Sequence, residues 1–233
     1  TLTAIQEGDI DEVKRLILYL DIDHVYSLLD YIIKYDSPKR DDIFSFILDN
    51  TEVDIDHKDP VANGITLLMK TIVRNYPINC ISLILRHTGN IEIWNDDYET
   101  ALYITVWKYH DYKSNNSELI CLHKNITIEL LKHGANPLTD FNHRATIGFI
   151  VKKNMFDMFD LFIKYCKFDI VRRTLYHAIH TRNYDFIEHS LKYAKDLNEL
   201  DLNGKTPLEQ ACGLNPPDAD ILELLLSDMS ENA

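Results

Sequence analysis

A triplet of small or apolar residues at positions i, i+3 and i+4 recurs along this chain, and it restricts the possible folds more than any other feature. It stands at Leu29/Ile32/Ile33, Leu68/Thr71/Ile72, Leu102/Thr105/Val106, Ile147/Ile150/Val151, Leu175/Ala178/Ile179 and Leu208/Ala211/Cys212, with a fragment at Thr1/Ala4/Ile5. Three such positions lie on one face of a helix, so each triplet marks the buried stripe of a short helix. Successive anchors are 28 to 45 residues apart, scattered around the ~33-residue length of a helix pair plus a turn. A second apolar stripe follows each triplet, as in "DEVKRLIL", "DDIFSFIL", "INCISLILRH", "ITIELLKHG", "DMFDLFIKY", "YDFIEHSLKY" and "DADILELLL". Asp or Asn at the start of several can cap the helix, and Gly134 can end one in the left-handed conformation. Helices of about ten residues do not persist alone in water, so each pair must stack on the next.

Composition agrees with helices. The chain has 233 residues, 45% of them apolar, with only seven Gly and seven Pro, enough for a core and few for a loop-rich fold. A formal charge of −13 argues against nucleic acid, which needs clustered Lys and Arg. No apolar run reaches the ~18–20 residues of a membrane span, and no signal peptide precedes the first unit. Four cysteines stand about 40 residues apart without a Cys-x-x-Cys pair, which fits reduced thiols in cytosol or nucleus. Asn115-Asn116-Ser117 and Asn125-Ile126-Thr127 match the glycosylation sequon as chance occurrences of a short pattern. Thr1 enters directly on a first helix, and the far end still carries Leu222, Leu225 and Leu226. Both ends therefore read as cut from something longer, because a solenoid needs polar caps.

Two features suggest chemistry and lose it on inspection. Gly204-Lys205-Thr206 copies the end of a phosphate-binding loop, but that loop requires glycine where Glu199 stands, and Pro207 removes a backbone donor. The repeat explains the same residues: Gly204 in a positive-φ turn, Thr206 capping, Pro207 opening the helix and Leu208 entering the core. His177 and His180 have a spacing that can ligate a metal, yet no third ligand completes it. One histidine is expected on the groove side and the other between repeats. Neither a cofactor nor an enzyme is expected, since no nucleophile, base and carboxylate stand at recognisable spacing.

Asp201-x-x-Gly204-x-Thr206-Pro207-Leu208-x-x-Ala211 resembles the ankyrin-repeat signature, and "ELLKHGANP" (Glu129–Pro137) resembles the exit of its second helix. "NGITLLMKTI" and "YETALYITV" are similar to weaker copies. The resemblance implies an all-α ankyrin-repeat solenoid of about seven degenerate helix-turn-helix units. The units run approximately 1–23, 24–55, 56–94, 95–138, 139–169, 170–200 and 201–233, with an insertion at 108–125 between the helices of its repeat. That insertion is expected as a polar loop. Degenerate repeats rich in Ile, Asn, Asp, Tyr and Lys further resemble the ankyrin proteins of poxviruses. That likeness implies capture of a host innate-immune, cell-death or signalling protein in the host cytosol, with the nucleus as an alternative. It also implies delivery to a host cullin ligase adaptor through an F-box-like segment beyond Ala233. The alternatives are sequestration alone, or a cellular ankyrin adaptor.

The expected contact residues are aromatic. Trp94 and Tyr98 fall in a projecting hairpin, "IWNDDYET", and Phe141 in the equivalent hairpin "LTDFNHRA". Tyr103, Trp107 and Tyr176 lie on first helices but off the core triplets. Trp and Tyr anchor protein interfaces, so this group is the expected partner-binding set.

Overall fold

The computed structural model describes residues 2–34, 39–113, 116–139, 145–166, 169–201 and 204–231. The chain divides into two compact units, Thr1–Asp97 and Tyr98–Ala233. The helices come in pairs, each with a first and a second member. In the first unit these are α1 (Leu2–Glu7) with α2 (Ile10–Ile17), α3 (Ile22–Lys34) with α4 (Arg40–Asn50), and α5 (Leu67–Val73) with α6 (Ile78–Leu85). In the second they are α7 (Ala101–Tyr112) with α8 (Ser117–Lys132), α9 (Thr146–Lys152) with α10 (Phe156–Tyr165), α11 (Val171–His180) with α12 (Tyr184–Leu191), and α13 (Pro207–Cys212) with α14 (Ala219–Glu231). Among the described residues the only strand-like pairing is a single bridge, Asp59 with Ile65. The fold is an all-α ankyrin-repeat solenoid.

The triplets form the core. Leu29, Ile32 and Ile33 are buried, as are Leu68, Thr71 and Ile72, and the triplets of α7, α9 and α11. In the second unit each first helix packs on the next, α7 on α9, α9 on α11 and α11 on α13. Phe159, Phe162 and Phe186 are fully buried in the second helices, and each gains about 1.5–3 kcal/mol from leaving water. The last triplet departs from the expectation. Leu208 is half-buried and Cys212 exposed, while Pro207, Gln210 and Ala211 are buried. Among the described residues α13 has a first-helix neighbour on one side only, α11.

Short helices need their ends satisfied, and the side chains supply this. Asp9 accepts from Glu12 N at 3.0 Å to open α2, and Asn183 accepts from Phe186 N at 3.1 Å to open α12. Asp218 accepts from Ile221 N at 3.3 Å at the start of α14. The same carboxylate receives Arg182 at 2.6 Å and the Tyr184 hydroxyl at 2.8 Å, which fastens α14 to the previous pair. Gly134, at φ +93°, ends α8.

The described residues of the insertion are mostly helical, where a polar loop was expected. Lys108–Tyr112 continue α7, Asn116 caps α8 by accepting from Leu119 N at 3.0 Å, and residues 117–125 form the first turns of α8. It also carries a buried polar cluster. His123 is fully buried and its ring stacks on Tyr112 at 5.5 Å, while Lys108 Nζ donates to the Tyr112 hydroxyl at 3.2 Å. Burial, and then the positive charge of Lys108, hold His123 down at about 4, so it is neutral at pH 7. The Tyr109 hydroxyl donates to Asp157 at the start of α10, and Lys113 pairs with the same carboxylate at 3.7 Å. Burial, reinforced by that hydrogen bond, keeps the Tyr109 phenol protonated well beyond its usual range.

Candidate protein-binding surface

The turns before the first helices share one construction. Thr66, Thr100 and Thr206 each accept a hydrogen bond from the backbone N–H three residues on, at 3.2–3.3 Å. At Thr206, Glu209 reaches back to the cap N–H at 2.8 Å, completing a capping box with Pro207 at the helix start. Two residues before each threonine the chain turns with positive φ, at Gly64 (+64°), Tyr98 (+63°) and Gly204 (+70°). Gly64 suits this conformation, and a Cβ there would displace the Asp96 side chain. Tyr98 holds the same conformation with a full side chain, which costs an L-residue roughly 1–2 kcal/mol.

The expected contact residues fall in different places. Trp94 belongs to the first unit and is 38% exposed. Tyr98 is 44% exposed and Trp107 46%, both in the second unit, so all three offer much of an aromatic surface to solvent. Tyr103 is half-buried, with its ring 5.5 Å from Phe149 of α9. Tyr176, also half-buried, lies 4.4 Å from the His180 ring and beneath the Arg173 guanidinium at 5.7 Å. Phe141 lies outside the described residues.

Residues between these positions join several of them into a strip. His110 meets the Phe149 ring edge-on at 5.7 Å, and Trp107 sits on the same side of α7 as Tyr103 and His110, four residues after one and three before the other. Gly148 leaves room for His177, whose ring would touch a Cβ there at 3.6 Å. His177 thus packs on α9 while His180 is exposed. The contacts of Tyr103 and His110 with Phe149, and of His177 with Gly148, are not visible in any one helix read alone. Their signal in the sequence is the i, i+4, i+7 row at Tyr103, Trp107 and His110, next to the buried triplet.

The charges on this strip are one-sided. α9 and α11 contain no Asp or Glu, and α7 contains only Asp111. Lys153, just past α9, and Arg173 have no acidic partner among the described residues. His110 is held below the usual histidine range by burial first, then by the positive charges of Lys153 and Lys113, with Asp111 opposing them. Two second helices of this unit are acidic instead, with Asp157 and Asp160 on α10 and Asp185 and Glu188 on α12.

The first unit is arranged differently. A hollow of about 470 Å³ opens beside α3 and α5, lined by Asp23, Tyr26, Asp30, His57 and Lys70 among others. Its lysine is paired in place, because Asp30 receives both Arg74 at 3.0 Å and Lys70 at 3.3 Å. Among the described residues no group of three or more His, Cys, Asp or Glu side chains is placed to hold a metal ion. No helix among them is long and apolar enough to cross a membrane.

Solved structures give the fold its name. The chain is similar to the crystal structure of the ankyrin repeat protein EF0377, with a TM-score of 0.52 and 16% identity, covering 89% of this chain and 98% of that one. It is also similar to the ankyrin repeat domain of Bcl-3, a member of the IkappaB protein family, with a TM-score of 0.55 and 17% identity over 97% and 96% of the two chains. No family model matches the sequence, and no curated protein matches it.

Proposed function

We propose that this chain is a protein-binding scaffold. The observation that carries the reading is the partial exposure of Trp94 and Trp107, at 38% and 46%, outside the buried core. Exposed tryptophan is rare on a surface with no partner and common in the centre of interfaces. The repeats resemble those of poxvirus ankyrin proteins, and on that likeness the finer reading is capture of a host defence or signalling protein for a ubiquitin ligase. The test is affinity purification from expressing cells with wild type, Trp94→Ala and Trp107→Ala, with circular dichroism run on each. Loss of a specific partner from a tryptophan variant that stays folded supports the scaffold. Retention of every partner by both folded variants defeats the assignment of these side chains. Proteasome inhibition then separates the modes: a partner that accumulates is being degraded, and one that does not is sequestered.

A further inference from the structure

We infer that the strip across α7, α9 and α11 docks an acidic segment of its partner, with the segment's apolar side chains laid against the rings of the strip. This rests on the protein-binding reading and specifies the chemistry of what is bound. Three observations converge on it. Each of its three helices carries rings: Tyr103 and His110 of α7 meet Phe149 of α9, and His177 of α11 packs beside Gly148 with Tyr176 next to it. It is cationic inside a protein with 37 acidic and 24 basic residues. Two cations with no acidic partner among the described residues lie beside the rings, with Arg173 over Tyr176 at 5.7 Å and Lys153 near enough to His110 to lower its proton affinity.

Charge complementarity selects the occupant. A basic segment would be repelled by Lys153 and Arg173, and it has the acidic second helices as a better destination. A neutral segment would leave both cations without partners when the interface excludes water, which costs free energy. An acidic segment supplies carboxylates to both and leaves its apolar residues for the rings. Nucleic acid is also anionic, but the protein's overall charge repels a long polyanion.

The proposal is tested on the full chain with three labelled probe peptides of equal length. They share Leu and Phe positions and differ only at intervening positions, which are Glu, Ser or Lys. The Glu peptide is expected to bind at least tenfold more tightly than the Ser peptide, with affinity falling as salt rises. K153E/R173E should lose about tenfold for the Glu peptide and gain preference for the Lys peptide, with its circular dichroism unchanged. Equal binding of the Glu and Ser peptides overturns the proposal, as does a folded K153E/R173E that keeps the Glu preference. Tighter binding of a single-stranded oligonucleotide or a phosphatidylserine vesicle, lost in the same variant, overturns it in favour of another anion. A partner whose capture needs Trp107 but ignores K153E/R173E leaves the scaffold standing and removes only this inference.

Discussion

The two units solve one problem, stacking short helix pairs, and leave their first helices with opposite electrostatics. In Thr1–Asp97 the first-helix cations are neutralised where they stand, by Asp30 against Lys70 and Arg74. In Tyr98–Ala233 the same layer keeps Lys153 and Arg173 without carboxylates and sets aromatic rings between them. The turn before a first helix varies independently of the unit: Gly64 and Gly204 are cheap residues for its conformation, and Tyr98 is the costly one. A repeat therefore constrains where the core lies and leaves the outer positions free to diverge.

The sharpest way to break the comparison is to damage one unit. Phe186 is fully buried, stacked on Phe156 at 4.9 Å and edge-on to Phe159 at 5.5 Å. Phe186→Ala should cost about 3–5 kcal/mol. Hydrogen exchange should show protection lost first in Tyr98–Ala233, and equal loss throughout would mean that the units do not behave separately.

Acid should divide them next. His123 is neutral when folded, with its proton affinity lowered to about 4 from 6.5. The unfolded chain takes up that proton near pH 6.5 while the folded one resists it. Stability from this group is thus whole above pH 6.5, declines as pH falls towards 4, and levels off below. The loss is on the order of 3 kcal/mol. His123→Leu should flatten that part of the pH profile, and an unchanged slope in thermal melts would show that His123 is not its source.

Smaller effects test the turn and the charge pattern. Tyr98→Gly should stabilise the fold by about 1 kcal/mol in denaturant titration while weakening partner capture. A loss of stability would show that the tyrosine is there for packing. Asp30→Ala should change stability by no more than ~1 kcal/mol, because the pairs it breaks are partly exposed. It releases Lys70 and Arg74, so the first unit should gain affinity for the Glu probe peptide. If it gains none, charge alone does not distinguish the two layers.

The helix pairing and most of the core were legible in the sequence, because an i, i+3, i+4 stripe leaves little choice of face. Leu208 and Cys212 were misplaced for a physical reason. The motif is strongest there, but burial depends on a neighbouring first helix, and motif strength does not report one. The insertion was misread because polar residues suggested a loop. Its segment has neither Gly nor Pro, and His123, Ile126, Thr127 and Leu130 continue one helical stripe. The contact strip was only partly legible. Periodicity placed Tyr103, Trp107 and Tyr176 off the core, but the contacts of Phe149 and His177 with neighbouring helices depend on stacking distances that no single repeat encodes.

The helical insertion has a mechanical consequence. Successive pairs in a solenoid meet through similar interfaces, and each is a place where the array can bend. At the junction of α7/α8 with α9/α10, five residues of α7 beyond the length of α9 add an overhang of about 7 Å. Tyr109 and Lys113 tie that overhang to Asp157. This junction is a strutted joint: the overhang adds ties to those that the other junctions of the second unit make through Asn183, His189 and Asp218. A bend between α7/α8 and α9/α10 would have to break the Tyr109 and Lys113 contacts with Asp157.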